Sequence, residues 1–199
     1  MVAQMAEVDT ARSILSAARA RLLVDGYAGL STRKIAQEAG VPLSQVHYHF
    51  GSKRGMVLAL LEAENRRRLA RQSSMYAQDV PLSRRYEQAC DFLEDDLESG
   101  FVRVLQEMIA AGWSSTEVRD AVGELIGSWT RVLTEAAEQG RKAGVDFGTF
   151  HTTEIVALVV SAFFGGESII LLGLENDDLP VRGALRRVGE AISALENSK

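Results

Sequence analysis

The stretch LSTRKIAQEAGVPLSQVHYHFGSK, residues 30–53, decides how this chain is read. Ile35, Ala36 and Ala39 give residues 32–39 one apolar face at helical spacing. Ser31 before them is a residue type that caps a helix. Gly40 breaks that helix, because glycine takes the left-handed backbone a helix end needs. Val41 is apolar, and Pro42 suits the first turn of a new helix. That helix is short, Leu43 to about His49, with Val46 and Phe50 pointing inward. Gly51 closes it, and Ser52 caps a longer helix that passes Met56, Leu60 and Leu61 toward Leu69. Two short helices joined by a tight glycine-containing turn are a helix-turn-helix.

In that motif the first helix packs behind and sets the angle. The second is buried on one side and polar on the other, so that it enters the major groove. Ser44, Gln45 and Tyr48 lie away from the Val46/Phe50 face. Gln45 can pair with adenine, and Ser44 with several bases. Leu43, at the helix start, either touches a thymine methyl or packs into the core. His47, Tyr48 and His49 offer donors for phosphate, and Lys53 adds a charge at the start of the next helix. Competing readings make Thr32 and Lys34 plain surface and His47 a half-core residue. His47 and His49 are two apart on a helix and cannot hold one metal together, and His151 is remote, so no metal is expected.

Working outward from this segment, a first helix is expected from a cap at Asp9 or Thr10 to Gly26. Ile14, Ala17, Ala18 and Leu22 form its apolar face. Leu30 through Val41, followed by Val46-His-Tyr-His-Phe-Gly-Ser-Lys53, resembles the DNA-binding domain of the tetracycline-repressor (TetR/AcrR) family. The resemblance covers about residues 10–60. It implies an all-α fold: an N-terminal three-helix DNA-binding domain and a C-terminal helical bundle for ligand binding and dimerisation. It further implies a homodimer built mainly from the last two long helices, and a palindromic double-stranded DNA operator. By resemblance, Thr32 and Arg33 face DNA from the second helix, and Leu43, Ser44 and Gln45 face the bases. His47, Tyr48, His49 and Lys53 match the backbone-contacting group. The chain departs from the family at His47, where tyrosine is usual, and at Pro42, where a capping serine is common.

Composition is compatible with this reading. The 199 residues are 46% hydrophobic and 25% charged, with three prolines, as suits a helical globular chain. The net charge of -5 conceals an asymmetry. Residues 1–71 hold 11 Lys/Arg against 6 Asp/Glu, whereas residues 72–199 hold 11 against 21. A basic head on an acidic body places the polyanion at the head. Arg66, Arg67 and Arg68 supply much of that excess and read equally as a solvated helix face. Cys90 is the one cysteine, so no internal disulfide and no cysteine zinc site is expected. No basic segment precedes an apolar run near Met1, so no signal peptide is read and a cytoplasmic location is expected. Residues 155–174 are membrane-like in hydropathy, but Glu167 and four small or polar interruptions favour a core or subunit-interface helix.

Ser73–Ser83 is the expected break beyond the head. Five more helices are read at about 82–98, 100–111, 115–140, 150–174 and 179–196, making nine. Residues 1–55 are assigned to DNA binding and 56–199 to effector binding and dimerisation, the dimer through 150–174 and 179–196. Phe92, Met108, Trp113, Trp129, Phe163, Phe164 and Glu167 are the candidate effector-pocket residues, although aromatics at helical spacing also serve as ordinary core. A carboxylate within an apolar run needs a partner, so Glu167 meets either a cationic or hydroxyl-bearing ligand or an arginine across the dimer. No nucleophile elbow, metal-ligand spacing or phosphate-binding glycine loop is present in the sequence, so neither catalysis nor a cofactor is expected. The expectation is a transcriptional repressor released from its operator by a small-molecule effector.

Overall fold

The computed structural model describes residues 2–197, and among them nine helices. They are α1 (Val2–Gly29), α2 (Thr32–Ala39), α3 (Leu43–Phe50), α4 (Lys53–Tyr76), α5 (Leu82–Glu98), α6 (Phe101–Gly112), α7 (Thr116–Lys142), α8 (Thr152–Leu171) and α9 (Val181–Asn197). The chain divides into two compact units. One is Met1–Arg67 with Arg103–Gly123, the other Arg68–Val102 with Glu124–Lys199.

In the first unit α1, α2 and α3 pack on one another. Ile14 and Leu22 of α1, Ile35 of α2, Val46 of α3 and Met56, Val57 and Leu61 of α4 are buried, and this is the core predicted from the apolar spacing. Val104, Leu105 and Met108 of α6 are buried in the same unit, as are Val118 and Val122 of α7. The α2–α3 turn follows from glycine at one position. Gly40 has φ +68°, and the Val41 N–H returns to the Ala36 carbonyl at 3.0 Å, closing the end of α2.

Two local expectations change. α1 does not start at Asp9 or Thr10 but runs from Val2, because residues 2–8 hold no helix breaker. At Gly26 the backbone leaves the helix (φ 67°), and a side chain there would also meet the Glu107 carboxylate at 3.1 Å. Ser31 precedes α2 in extended conformation without a side-chain cap, its carbonyl taking the Ile35 N–H at 3.0 Å. Ser52 does cap as expected, its Oγ accepting the Gly55 N–H at 3.0 Å.

In the second unit α5 packs on α9 and α8 on α9. Tyr86, Cys90 and Leu93 of α5 bury against Val181 and Leu185 of α9. The glycines of α8 divide by role. A Cβ at Gly166 would lie 2.9 Å from Val181, so this glycine admits α9, whereas at Gly165 nothing lies within 4 Å. Ion pairs tie α9 to α5: Arg182 to Glu94 at 3.0 Å and Arg186 to Asp91 at 2.9 Å. The expected break at Ser73–Ser83 narrows to residues 77–81, because buried Met75 and Tyr76 carry α4 onward.

Arg68 does not belong to a solvated face. It is buried, and its Nε donates to Asp96 Oδ1 at 2.8 Å while its guanidinium stacks on Phe101 at 3.8 Å. Arg71 completes the cluster, donating to Asp96 Oδ2 at 2.9 Å and stacking on Phe92 at 3.9 Å. Arg66 and Arg67 are exposed.

Candidate nucleic-acid interface and body cavity

The outward face of α2 and α3 follows from what the inward face buries. Ile35 and Ala36 seat α2, which leaves Arg33 exposed with no ion-pair partner among the described residues, and Thr32 half-buried at the helix start. Val46, 1% exposed, seats α3. At about 100° per residue this turns Ser44, His47 and Tyr48 to the outside, and all three are exposed, while Leu43 and Gln45 are half-buried at its edge. Tyr48 keeps 71% of its surface exposed, a large ring held out from the fold. His47 lies outside rather than in the core, its Nδ1 3.2 Å from the Gly51 carbonyl.

Two expected phosphate donors are placed differently. His49 is three residues from Val46 and therefore shares its inward face. Its Nε2 is buried and without a hydrogen bond, and its ring contacts Tyr48 edge-on at 5.1 Å. Lys53 Nζ donates to the Tyr27 carbonyl at 3.0 Å and sits 4.8 Å from the centre of the Tyr27 ring. Lys53 thus ties the start of α4 to the end of α1. The Tyr27 N–H in turn donates to Glu107 of α6 at 3.1 Å, and Arg54 pairs with Glu117 of α7 at 3.0 Å. Elsewhere on the head, the Arg21 guanidinium holds the Asp25 carboxyl below its ordinary value.

Sequence reasoning missed Glu7 and Gly55. Glu7 accepts the Tyr48 hydroxyl at 3.0 Å, and this hydrogen bond, with the charge behind it, raises that phenol above its ordinary value. It lies N-terminal to the assumed start of α1, so helical spacing never brought it into consideration. At Gly55 a Cβ would approach the Phe50 carbonyl to 2.3 Å, so α4 leaves α3 too closely for any side chain. A glycine just inside a capped helix was the available signal.

The second unit holds two neighbouring cavities. The smaller, about 50 Å³, is lined by Gln72, Tyr76, Tyr86, Trp129, Phe163 and Glu167 among others. The larger, about 440 Å³, lies among α4, α5, α7, α8 and α9 and shares Tyr76 and Tyr86 with it. Of the predicted pocket residues, Trp129, Phe163, Phe164 and Glu167 come together here. Phe92 does not line either cavity and lies beneath the Arg71 guanidinium. Met108 is completely buried in the other unit, and Trp113, in that same unit, is 86% exposed on the turn after α6. Their helical spacing was apolar, but the face each occupies is set by packing of α6. Tyr76 was missed because α4 was expected to end before it, and Tyr86 because nothing in its helix marked which apolar face met the cavity. Among the described residues no group of three or more His, Cys, Asp or Glu is placed to hold a metal.

Residues 14–60 match the family described as "Bacterial regulatory proteins, tetR family". Many solved structures share the fold, three of them as follows. A TetR transcription regulator from Haloarcula marismortui is 18% identical with a TM-score of 0.78, covering 94% of this chain and 97% of its own. A transcriptional regulator from Saccharomonospora viridis in complex with choline is 20% identical with a TM-score of 0.75, at 92% and 95% coverage. The regulator FadR from Bacillus subtilis in complex with stearoyl-CoA is 17% identical with a TM-score of 0.68, at 94% and 97% coverage. No curated protein sequence matched the chain.

Proposed function

We propose that this chain, which carries a tetR-family domain at residues 14–60 on a fold shared with solved regulators, is a dimeric repressor that leaves a palindromic operator when a small molecule binds its body. The observation that carries the reading is the outward face of α2 and α3. Arg33, Ser44, His47 and Tyr48 stand exposed beside Gln45, on the basic end of an acidic chain. Arg33 and Gln45 read base edges, with Ser44 and Leu43 beside them, and Thr32, His47 and Tyr48 hold the backbone. Lys53 acts from behind, tying the start of the helix after the reading helix to the end of α1, and His49 packs beside Tyr48 on the inward side. Residues 1–55 carry this role and residues 56–199 the effector and dimer roles, in the cytoplasm.

The dimer rests on α8. Its mean hydropathy is 1.9, yet only 17% of the apolar window is buried within the chain. By length and composition this helix would also cross a membrane, but Glu167 within it is buried in the protein and Gly166 is closed by α9. A second copy, packed through about residues 150–174 and 179–196, covers the uncovered face and sets two reading helices about 34 Å apart. The solved chains of this fold hold ligands as different as choline and stearoyl-CoA, which supports an effector cavity without choosing its occupant. Ligand binding acts by favouring one of two head separations, and operator affinity falls only by the ligand's preference between them. Within the first unit the bonds from Tyr27 to Glu107 and from Arg54 to Glu117 link α1 and α4, which carry the reading helices, to α6 and α7.

The test is selection of bound fragments from random DNA by the purified protein, repeated with Arg33→Ala and Gln45→Ala. A palindromic site with relaxed base preference in the variants is the expected result. A folded protein that enriches no site refutes the reading.

A further inference from the structure

The two cavities of the second unit share four wall residues, Tyr76, Tyr86, Leu133 and Val159, so a ligand extending past these side chains occupies both. Their chemistry differs. The smaller is aromatic, with Trp129, Phe163 and Phe164 beside the two tyrosines, and Tyr86 meets Phe163 edge-on at 6.0 Å. Its lining holds one carboxylate, Glu167, 6% exposed, and no Lys, Arg or His. Burial pushes the Tyr76 and Tyr86 phenols above their ordinary value, which keeps both rings neutral. The larger cavity is lined without a single charged side chain, and its 440 Å³ lies in the size range of small-molecule sites.

These halves ask for different parts of one molecule. Aromatic faces are negative and the acidic Glu167 is of the sign that favours a cation, so the small half prefers a cation to an anion. Its 50 Å³ holds roughly three or four water-sized groups, enough for a compact head. The large half solvates only apolar groups. Resting on the reading of the chain as an effector-controlled regulator, we infer that the effector is a lipophilic monocation, an amine or quaternary ammonium. Its head occupies the aromatic half beside Glu167, and its hydrocarbon part lies between α7, α8 and α9. Glu167 is also engaged within the fold, so no vacant oxygen is asked of it.

The experiment is calorimetric titration of the full-length protein with decyltrimethylammonium, decanol and decyl sulfate, each below its micelle concentration. The cation is expected to bind about tenfold or more tighter than the alcohol, and the sulfate weaker than either. Glu167→Gln and, separately, Trp129→Leu should retain decanol binding and bring the cation-to-alcohol ratio to within about threefold. The Trp129 variant serves where the Glu167 variant does not fold. Absence of cation binding, equal or tighter binding of decanol or the sulfate, or an unchanged ratio in both variants overturns the inference. Release of a selected operator fragment, measured in parallel, separates this from the underlying reading. Release by decanol or the sulfate but not by the cation leaves the regulator standing and removes the inference. Tight cation binding without any release keeps the site and removes the effector mechanism.

Discussion

Replacing Asp96 by alanine should cost about 3 kcal/mol of stability. The carboxylate is 8% exposed and accepts charged hydrogen bonds on both oxygens, from Arg68 at 2.8 Å and Arg71 at 2.9 Å. The two arginines lose unequally. Arg71 is 30% exposed and retains Asp95 at 3.4 Å, so solvent and a second carboxylate compensate it. Arg68 is 9% exposed, with the Ser99 hydroxyl at 3.0 Å and the Phe101 ring beside it. Removing one member of a buried pair costs about 3–5 kcal/mol, because the charge left behind stays desolvated. Ser99 and Phe101 place this case at the lower end. Exchanging both partners together, Arg68→Met with Asp96→Leu, removes the buried charge along with its counter-charge and should fall within about 1 kcal/mol of the parent. Urea unfolding at fixed protein concentration, with the slope compared between variants, is the assay. A cost below about 1 kcal/mol for Asp96→Ala, or a double variant as unstable as the single one, would refute the argument. The cluster also bears on the cavity. Arg68, Gln72 and Tyr76 recur every four residues on α4 and share a face, and the latter two line the smaller cavity, so Asp96→Ala should weaken ligand binding as well.

Other perturbations test other links. Glu7→Gln frees the Tyr48 hydroxyl from a carboxylate and removes a negative charge beside the reading helix. Operator affinity in a gel-shift titration should rise a few-fold at low salt and less at high salt, and an unchanged affinity would separate Tyr48 from the DNA contact. Leu171→Glu places a charge on the exposed apolar end of α8, where Leu171 is 40% exposed and lines neither cavity, and should turn a dimer into a monomer in sedimentation. A dimer that survives would locate the interface elsewhere. Burial pushes the Cys90 thiol up to about 11. At pH 8 the thiolate fraction should then be about one in a thousand, against about a quarter for an ordinary thiol. An aromatic disulfide reagent should therefore label Cys90 only after unfolding, and labelling of the native protein within minutes would contradict its burial.

The sequence by itself determined the head. Ile35, Ala36 and Val46 recur at helical spacing, and Gly40 and Gly51 sit where the backbone turns left-handed, so local rules fixed both helices and the turn between them. The outward placement of Ser44 and Tyr48 followed from the same period, because a helix that buries one face must present the other. The number and approximate limits of the later helices were legible for this reason too. Tertiary structure decided which of several permissible faces met which neighbour. Arg68 reads as surface within its arginine run and is buried only because Asp96, on a helix formed later in the chain, lies opposite. Trp113 and Trp129 are equally apolar in sequence, yet one stands in solvent and the other lines a cavity. Periodicity says that a helix has an apolar side. It carries no term for distance between segments far apart in the chain, and the cavity, the ion cluster and the placement of Glu167 all depend on that distance.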